Sequence, residues 1–257
     1  MCLILISINN HPAYKLIVAA NRDEFYKRKT LDLESWSDHP QVIGGRDLEA
    51  SGTWMAVTRS GKVSMVTNYR DLSNIRPNAP SRGKLVSDFL VGTNSPEEYL
   101  KAIEPNAAAY NGFNLLVGNQ DRLYYLSNYR KGISPLDRGF FALSNHVLDT
   151  PWPKIVRGRQ RIVPVLRNSV IDPEALLDAL FDQTIAADKD LPDTGVGLER
   201  ERALSAMFIR MENYGTRCST VLMIDKDNNV TIAERVYEPA DLSHREKKIQ
   251  FRIAADL

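Results

Sequence analysis

Short apolar runs recur along the whole chain, and they limit its fold more than any other feature. Each run is bounded by turn-forming residues, which is typical of β-strands. The connections 9–14, 59–61, 118–121 and 225–229 are short, so we expect antiparallel hairpins. Because the runs are apolar throughout, we expect a second sheet or helices to cover both sheet faces. The predicted strands are 3–8, 16–20, 53–58, 62–67, 113–117, 123–126, 140–143, 220–224, 230–233 and a last short strand at 249–253.

Helix-start signals lie between the groups of strands. Ser95 and Glu98 flank Pro96 in the pattern of a capping box, and Asp172 precedes Pro173 in a similar way. The predicted helices are 81–91, 95–103, 172–181 and a longer one that follows Thr150-Pro151 and runs to 166, and 188–201 is an expected exposed loop. The basic side chains of the longer helix are predicted to face solvent: Lys154, Arg157, Arg159 and Arg161.

The 257-residue chain has the composition of a folded protein in water, with 43% hydrophobic and 25% charged residues. This composition excludes a disordered, collagen-like or membrane-spanning chain. The 33 basic and 32 acidic residues leave a net charge of +1, so no overall field attracts nucleic acid or an anionic membrane. We expect one domain over residues 1–257, no membrane span and no nucleic-acid partner, and the sequence does not indicate an oligomeric state.

The two cysteines and the first apolar run of the chain indicate the cellular compartment of the protein. Cys2 and Cys218 are far apart and lack the paired spacing of a zinc site, so we expect neither a disulfide framework nor a bound metal. The first apolar run has no basic residue before it and ends at a turn that contains Asn9 and Pro12, unlike a signal peptide. We therefore expect a cytoplasmic protein, and no motif predicts a cofactor.

Cys2 directly follows Met1 and is the first candidate for chemistry. Removal of Met1, which the small cysteine side chain permits, would leave a thiol and a free α-amine on one residue. An amine with an ordinary pKa of ~8 can take the thiol proton without a histidine. The alternative is that Cys2 is a small hydrophobic residue in a central strand, as most buried free cysteines are.

The polar block Asn21-Arg22-Asp23-Glu24 follows the predicted strand 16–20. If this strand pairs with 3–8, its end lies beside the N-terminus, and Arg22 and Asp23 come within reach of Cys2. Arg22 would then favour the thiolate, and Asp23 would hold the ammonium group. Consecutive strand residues point to opposite faces, so both groups face Cys2 only if the backbone turns there. The alternative is a polar strand exit.

Polar residues also lie at the ends of later strands. Asn68 and Asn145 follow predicted strands, and side-chain N–H groups of this kind can stabilise a tetrahedral oxyanion by ~2.7 to 4 kcal/mol per donor. Both asparagines have the alternative role of turn former. Arg217 precedes the strand 220–224 and could anchor a carboxylate or another anionic group. We expect its neighbour Cys218 to fill the core.

Several polar and glycine-containing blocks are spread over nearly the whole chain. They are 20–25 (ANRDEF), 44–47 (GGRD) with 52–54 (GTW), 66–70 (VTNYR), 144–145 (SN) with 149–154 (DTPWPK), and 215–220 (GTRCST). In this order and combination they resemble the NRDE family, also called the transport and Golgi organisation family. The resemblance implies an N-terminal nucleophile (Ntn) hydrolase-like fold of class α+β, a four-layer αββα sandwich of two antiparallel sheets between helix layers.

The chain is also similar, more distantly, to the cysteine-nucleophile branch that includes penicillin V acylase and bile salt hydrolase. The resemblance implies that Cys2 is the nucleophile and that Arg22 and Asp23 tune it. That branch separates its arginine and aspartate by two residues, whereas here they are adjacent. The remaining implied site residues are Asn68 and Asn145 as oxyanion or substrate donors and Arg217 as a supporting group.

The resemblance implies a hydrolase that cleaves a carbon–nitrogen amide or a thioester bond of a small molecule through an acyl-Cys2 intermediate. Eukaryotic members of the family have been linked to secretory organisation, mitochondria, lipid or acyl-CoA metabolism and haem handling. The alternative is therefore a non-catalytic carrier or trafficking protein that binds a haem-like or lipid/acyl-CoA ligand. A scaffold for other proteins is a third hypothesis, and it predicts a large exposed apolar patch.

Overall fold

The computed structural model describes residues 3–254, which form two antiparallel sheets and five α-helices. The strands are β1 (Leu3–Ile8), β2 (Tyr14–Phe25), β3 (Thr30–Ser35), β4 (Val42–Asp47), β5 (Met55–Thr58), β6 (Val63–Asn68), β7 (Phe113–Gly118), β8 (Leu123–Ser127), β9 (Arg130–Leu136), β10 (Gly139–Leu143), β11 (Tyr214–Asp225), β12 (Asn229–Tyr237) and β13 (His244–Arg252). The helices are α1 (Arg82–Val91), α2 (Pro96–Ile103), α3 (Pro153–Val165), α4 (Pro173–Leu180) and α5 (Leu198–Leu204).

The two sheets lie face to face between two layers of helices. Sheet A has the strand order β10-β1-β2-β11-β12-β13, and sheet B has the order β3-β4-β5-β6-β7-β8-β9. One apolar cluster, which includes Ile4 and Met65, fills the space between the sheets. A second cluster joins sheet A to α3 and α4, and a third joins sheet B to α1 and α2. The predicted αββα sandwich is confirmed, because central strands are covered on both faces.

Local sequence signals located most of the elements correctly. The predicted hairpins are present, since β1 pairs with β2, β5 with β6, β7 with β8 and β11 with β12. The capping box of α2 is complete: the Glu98 N–H donates to Ser95 Oγ, and the Ser95 N–H donates to Glu98. Within residues 3–254, no helix has both the length and the apolar character that a membrane crossing needs.

The prediction that β2 ends at Ala20 was wrong. The strand continues through the polar block to Phe25, because the equally long β11 pairs with it as far as Tyr214. Strands β3, β4 and β9 were not predicted. β3 and β9 are half-exposed edge strands without a long apolar run, and β4 contains two glycines. A Cβ on Gly44 would lie 2.5 Å from the Cβ of Ala56, so close packing of β4 on β5 requires glycine there.

The predicted exposed loop 188–201 is only partly a loop. Its last residues belong to α5, and the Glu201 side chain is buried. Glu201 accepts a hydrogen bond from Arg70 Nη1 at 2.9 Å and two more from the N–H and hydroxyl groups of Thr194. An ion pair with a residue 131 positions away therefore orders this segment, and a local sequence pattern does not contain that information.

Candidate functional site

The candidate site lies where β1 begins beside the polar block of β2. Cys2 lies outside the described residues, and its described neighbours are Leu3 and the polar block of β2. Leu3, the first described residue, pairs with Asn21, and β2 pairs with β11 on its other side. Asn21 donates to the carbonyl oxygens of Leu180 and Met207 and accepts a hydrogen bond from Ser219 Oγ. Asn21 thus ties the centre of sheet A to the helix layer, a role that the sequence did not reveal.

Arg22 and Asp23 do not face the same side of sheet A. The backbone remains extended through both residues, so their side chains alternate. The Cζ atom of Arg22 lies 4.2 Å from the centroid of the Trp54 ring, on the side that faces sheet B. Asp23 Oδ1 accepts a hydrogen bond of 2.6 Å from Thr216 Oγ1. Asp23 points towards the helix layer, where Lys154 of α3 approaches it.

Lys154 is a buried neighbour of Asp23, and its assignment to a solvated basic face was wrong. Its Nζ atom lies 3.9 Å from Asp23 Oδ2, and the two side chains are 1% and 0% exposed. Lys154, Gly158 and Ile162 repeat at intervals of four residues on the buried side of α3, and this spacing was the available signal. The other basic residues of this helix form ion pairs near the surface: Arg157 and Arg161 with Asp182, and Arg159 with Asp149.

Arg217 lies in an irregularity of the β2–β11 pairing. Thr216 pairs with Asp23 and Cys218 pairs with Arg22, so Arg217 is the extra residue of a β-bulge. Its Nη1 atom donates to the carbonyl oxygens of Phe25 and Arg28 at 3.1 and 3.0 Å. Burial and the positive charge of Arg22 lower the pKa of Arg217. The bulge therefore brings a second arginine close to Arg22.

The structure brings Asn68 and Asn145 together at the end of β6. Asn145 is buried, and its Nδ2 donates to the Asn68 carbonyl oxygen at 3.0 Å. The Arg70 N–H donates in turn to the Asn145 carbonyl oxygen at 2.8 Å. The side-chain amide of Asn68 forms no hydrogen bond with any residue from 3 to 254, and it lines an open cleft. One N–H of Asn145 is thus used in the fold, whereas the Asn68 amide faces the cleft.

This cleft has a volume of about 400 Å³ and lies between the end of β2, the β4–β5 connection and the start of α1. Arg22 and Asn68 line it, whereas Asp23, Asn145 and Arg217 do not. Its other polar lining residues include Glu24, Arg28, Asp47, Ser81 and Arg82. The structure therefore places two of the predicted site residues, Arg22 and Asn68, in the lining of one cleft and the other described ones outside that lining.

Cys218 and Glu234 are two buried groups that lie close to one another between the sheets, and Glu234 was not predicted. Cys218 is 4% exposed within the core cluster between the sheets, as expected, and burial raises its pKa well above the usual value. Burial also raises the pKa of Glu234, which accepts hydrogen bonds from the Leu33 N–H and Thr220 Oγ1. Glu234 shares a strand face with Ile232, which was the available signal. Among the described residues no group of His, Cys, Asp or Glu is arranged to hold a metal ion.

Residues 1–239 match the family model described as Transport and Golgi organisation 2. The human Transport and Golgi organization protein 2 homolog is 32% identical over 269 residues, which cover 96% of this chain and 97% of the human protein. The Drosophila melanogaster Transport and Golgi organization protein 2 is 27% identical over 268 residues, with 94% of each chain covered. The similarity thus extends over nearly the full length of both relatives.

Solved structures share the fold at much lower sequence identity. A mutant of the conjugated bile acid hydrolase from Clostridium perfringens has a TM-score of 0.52 and 9% identity, with 100% of this chain and 99% of that chain covered. The Caenorhabditis elegans ortholog of N-acylethanolamine-hydrolyzing acid amidase has a TM-score of 0.50 and 13% identity, with 86% and 92% covered. These similarities show an Ntn-hydrolase-like fold and extend to the fold alone.

Proposed function

The chain belongs to the Transport and Golgi organisation 2 family and has an Ntn-hydrolase-like fold, and on this basis we propose that it is an N-terminal-cysteine hydrolase. The proposed substrate is an acyl amide or an acyl thioester, and the proposed intermediate is an acyl group on Cys2. Two structural neighbours are named as an amidase and as a conjugated bile acid hydrolase, which supports a reaction of this class. Removal of Met1 is part of the proposal.

The observation that carries the proposal is a group of buried polar side chains beside the described start of β1. Leu3 pairs with Asn21, and Asn21, Arg22 and Asp23 are each at most 3% exposed. Buried charges destabilise a fold unless they are compensated, and they concentrate at functional sites. Cys2 is covalently joined to Leu3, so the proposal requires the Cys2 thiol and amine to reach this group.

In the proposed first step the Cys2 amine takes the thiol proton, and the thiolate sulfur attacks the substrate carbonyl carbon. A new C–S bond and an oxyanion form, and Asn68, Asn145 and backbone N–H groups are the proposed donors to the oxyanion. The tetrahedral intermediate then collapses and breaks the substrate C–N or C–S bond. The departing amine or thiolate receives the proton from the Cys2 ammonium group.

In the proposed second step water attacks the acyl-Cys2 carbonyl carbon while the Cys2 amine accepts a proton from the water. The bond between the carbonyl carbon and the Cys2 sulfur breaks, a carboxylic acid leaves, and the thiol is restored. Arg22 would favour the thiolate from one face of the sheet, with Arg217 as a supporting charge. Asp23 would hold the ammonium form from the other face.

The test is mass spectrometry of purified protein that has been verified to begin at Cys2. After incubation with a panel of acyl amides and acyl thioesters, we expect an acyl adduct on the peptide that contains Cys2. The Cys218→Ala variant is the matched control and should retain the adduct, because Cys218 is buried and burial raises its pKa. No adduct across a broad panel, or an adduct that survives Cys2→Ala, contradicts the proposal.

The same Cys2→Ala variant tests the carrier alternative. A haem-like ligand bound through the Cys2 thiolate should lose its affinity and its thiolate spectrum in the variant. Haem affinity that survives the substitution excludes ligation by Cys2, whereas turnover that survives it excludes the acyl-Cys2 mechanism. The two readouts therefore separate the hydrolase from the carrier on one pair of proteins.

A further inference from the structure

Three of the four edge strands of the two sheets are blocked or irregular. Sheet A ends at β10 and β13, and sheet B ends at β3 and β9. Along β10, the Ala142 N–H donates to Asp149 Oδ1 and the Ala142 carbonyl oxygen accepts from the Asp149 N–H, both at 2.8 Å. β9 contains Pro135, and its Gly132 N–H donates to Glu104 Oε1. The pairing of β3 with β4 shifts register. Devices of these kinds keep a sheet edge from pairing with another chain.

The fourth edge strand, β13, has an open outer edge. It pairs with β12 along all nine of its residues, from His244 to Arg252. In an antiparallel ladder every second residue directs its N–H and C=O groups away from the partner strand, so about four residues of β13 present theirs at the edge. Within residues 3–254, the backbone of 244–252 forms no hydrogen bond outside its ladder with β12. β13 thus offers a row of backbone donors and acceptors about 30 Å long.

Basic side chains flank this edge on both faces of the sheet. Lys247 and Lys248 are exposed and point to opposite faces. Arg252 lies on the face of Lys248, and the Arg59 guanidinium lies 5.3 Å from the ring centroid of Phe251 on the face of Lys247. None of these four basic residues forms an ion pair with another residue of the described chain. The edge of β13 is therefore positively charged, although the net charge of the whole chain is only +1.

The acidic residues next to the two lysines are engaged elsewhere. Glu246 precedes Lys247 and pairs with Arg235 at 3.0 Å. Glu234 lies directly across from Lys247 in the β12–β13 register, but it is buried and accepts hydrogen bonds from residues of two other strands. Both lysines therefore keep their charge for a partner outside this chain.

A second copy of this chain fits the edge poorly. If two β13 strands paired about a two-fold axis at their central residue, Lys248 of one copy would lie directly opposite Lys248 of the other. Like charges in directly opposite positions destabilise a sheet. Lysine on an edge strand is a common device against self-pairing. The charge pattern thus disfavours a dimer and favours a strand that carries carboxylates.

We propose that the outer edge of β13 binds an extended acidic peptide segment of a partner protein, which adds to the six-stranded sheet A as an antiparallel strand. Backbone hydrogen bonds provide the affinity, and carboxylates at two consecutive positions meet Lys247 and Lys248 on the two faces. Ile249 and Phe251 are partly buried against the core on one face, which favours apolar partner residues two positions apart. This interaction goes beyond the proposed hydrolase reaction and does not depend on Cys2.

The test uses the full-length protein and the synthetic peptide Glu-Val-Thr-Val-Glu-Glu-Thr with both ends blocked. In antiparallel register its adjacent glutamates lie opposite Lys248 and Lys247, and its valines lie opposite Phe251 and Ile249. Fluorescence anisotropy of the labelled peptide measures the affinity. We expect binding at least about tenfold tighter than that of the same peptide with lysine in place of glutamate, and an affinity that falls as salt rises.

Two measurements separate strand addition from simple attraction of charges. Hydrogen exchange should slow at alternate amides of β13 when the peptide binds, because these N–H groups become donors to the new strand. N-methylation of every second peptide residue should weaken binding at least about tenfold in one of the two possible phases only, since only one phase directs its N–H groups towards β13.

A double variant tests the two lysines, and a single variant is the control. The combined substitutions Lys247→Glu and Lys248→Glu should weaken binding of the glutamate peptide by at least about tenfold. Both side chains are exposed, so the fold should be retained. Lys131→Glu is the matched control and should bind normally. Lys131 is also an exposed lysine on an edge strand, but Glu104 blocks that edge at Gly132.

Equal affinity for the glutamate and lysine peptides overturns the inference, as does the absence of binding by the glutamate peptide. Binding without slower exchange in β13, or binding that tolerates both phases of N-methylation, also overturns it, because the peptide would then not form a strand. Sedimentation that shows a dimer formed through β13 assigns the edge to a second copy and contradicts the proposal as well. Loss of hydrolase activity in Cys2→Ala leaves all of these measurements unaffected.

Discussion

Arg22 and Asp23 are adjacent in the sequence, yet their charged groups lie on opposite faces of sheet A. The Arg22 guanidinium stacks on Trp54 at 4.2 Å and faces the cleft between the sheets. Asp23 accepts a hydrogen bond from Thr216 and lies 3.9 Å from Lys154 under the helix layer. The extended strand β2 thus places the Arg22 guanidinium on one face of the β1–β2 pair and the Asp23 carboxylate on the other. The proposed nucleophile Cys2 has to act beside this pair.

Asn68 and Asn145 should respond differently to substitution. The Asn68 side chain makes no hydrogen bond within residues 3–254, so Asn68→Ala should leave the free energy of unfolding unchanged. If its amide stabilises the oxyanion, the rate of Cys2 acylation should fall by about 100-fold to 1000-fold. Asn145→Ala, in contrast to Asn68→Ala, should lower the free energy of unfolding by about 1 to 3 kcal/mol, because the Asn145 side chain donates a hydrogen bond to the Asn68 carbonyl oxygen. Acylation that stays at the wild-type rate in Asn68→Ala removes Asn68 from the mechanism.

Lys154 should contribute strongly to stability through its buried position beside Asp23. Lys154→Met leaves the buried Asp23 carboxylate without this cation, so we expect the free energy of unfolding to fall by about 3 to 5 kcal/mol. Urea denaturation provides the measurement. Arg159→Met on the same helix is the control and should cost at most about 1 kcal/mol, since Arg159 and Asp149 are both more than a third exposed. Similar decreases in the free energy of unfolding for the two variants would show that the buried Lys154–Asp23 pair contributes no more to stability than the exposed Arg159–Asp149 pair.

Glu234 should make the stability of the protein depend on pH. Burial raises its pKa above 4.5, so the folded protein binds this proton more tightly than the unfolded chain does. The stability from this proton is fully present below the unfolded pKa and is lost as the pH rises through the folded pKa.

Glu234→Gln has no carboxyl proton to lose. The free energy of unfolding of this variant should therefore rise relative to wild type with increasing pH, with a slope of at most about 1.4 kcal/mol per pH unit. Urea denaturation between about pH 4.5 and pH 8 measures the difference. A difference that stays constant over this range would contradict the assignment, and the exposed Glu212→Gln is the control.

Glu201 should hold the segment that carries α5 against the rest of the fold. Glu201→Ala removes the ion pair with Arg70 and both hydrogen bonds to Thr194. Limited proteolysis within 188–197 should become about tenfold faster or more, because local opening costs less free energy. Glu199→Ala is the control on the same helix, since the Glu199 side chain is 86% exposed. Equal cleavage rates for the two variants would assign the order of this segment to other contacts.

Elements with a strong local pattern could be predicted from the sequence. The β1–β2 hairpin follows from two apolar runs and a turn, and α2 follows from the Ser95–Glu98 capping box. Cys218 was expected in the core and lies there. In each case the chain neighbours within a few residues carry most of the information, so the local pattern was sufficient.

Contacts between residues far apart in the sequence determined the features that local patterns did not predict. β2 extends to Phe25 because β11 pairs with it, and Thr216 bonds to Asp23 from 193 positions away. Lys154 is buried because α3 packs on sheet A, although the composition of α3 resembles that of a basic helix exposed to solvent. Edge strands β3 and β9 lack apolar runs because solvent covers them, so they carry no strong strand signal.

The sequence by itself predicted antiparallel strands covered on both faces, the helix starts and the candidate polar residues, because apolar runs, turns and caps are local properties of the chain. The resemblance of its polar blocks to a family implied the four-layer α+β fold. Only the tertiary structure decided that Arg22 faces the cleft, that Asp23 meets Lys154 and that Arg217 forms a bulge beside both. The environment of a charge depends on which distant strands and helices enclose it, and that enclosure exists only after the sheets and helices have packed.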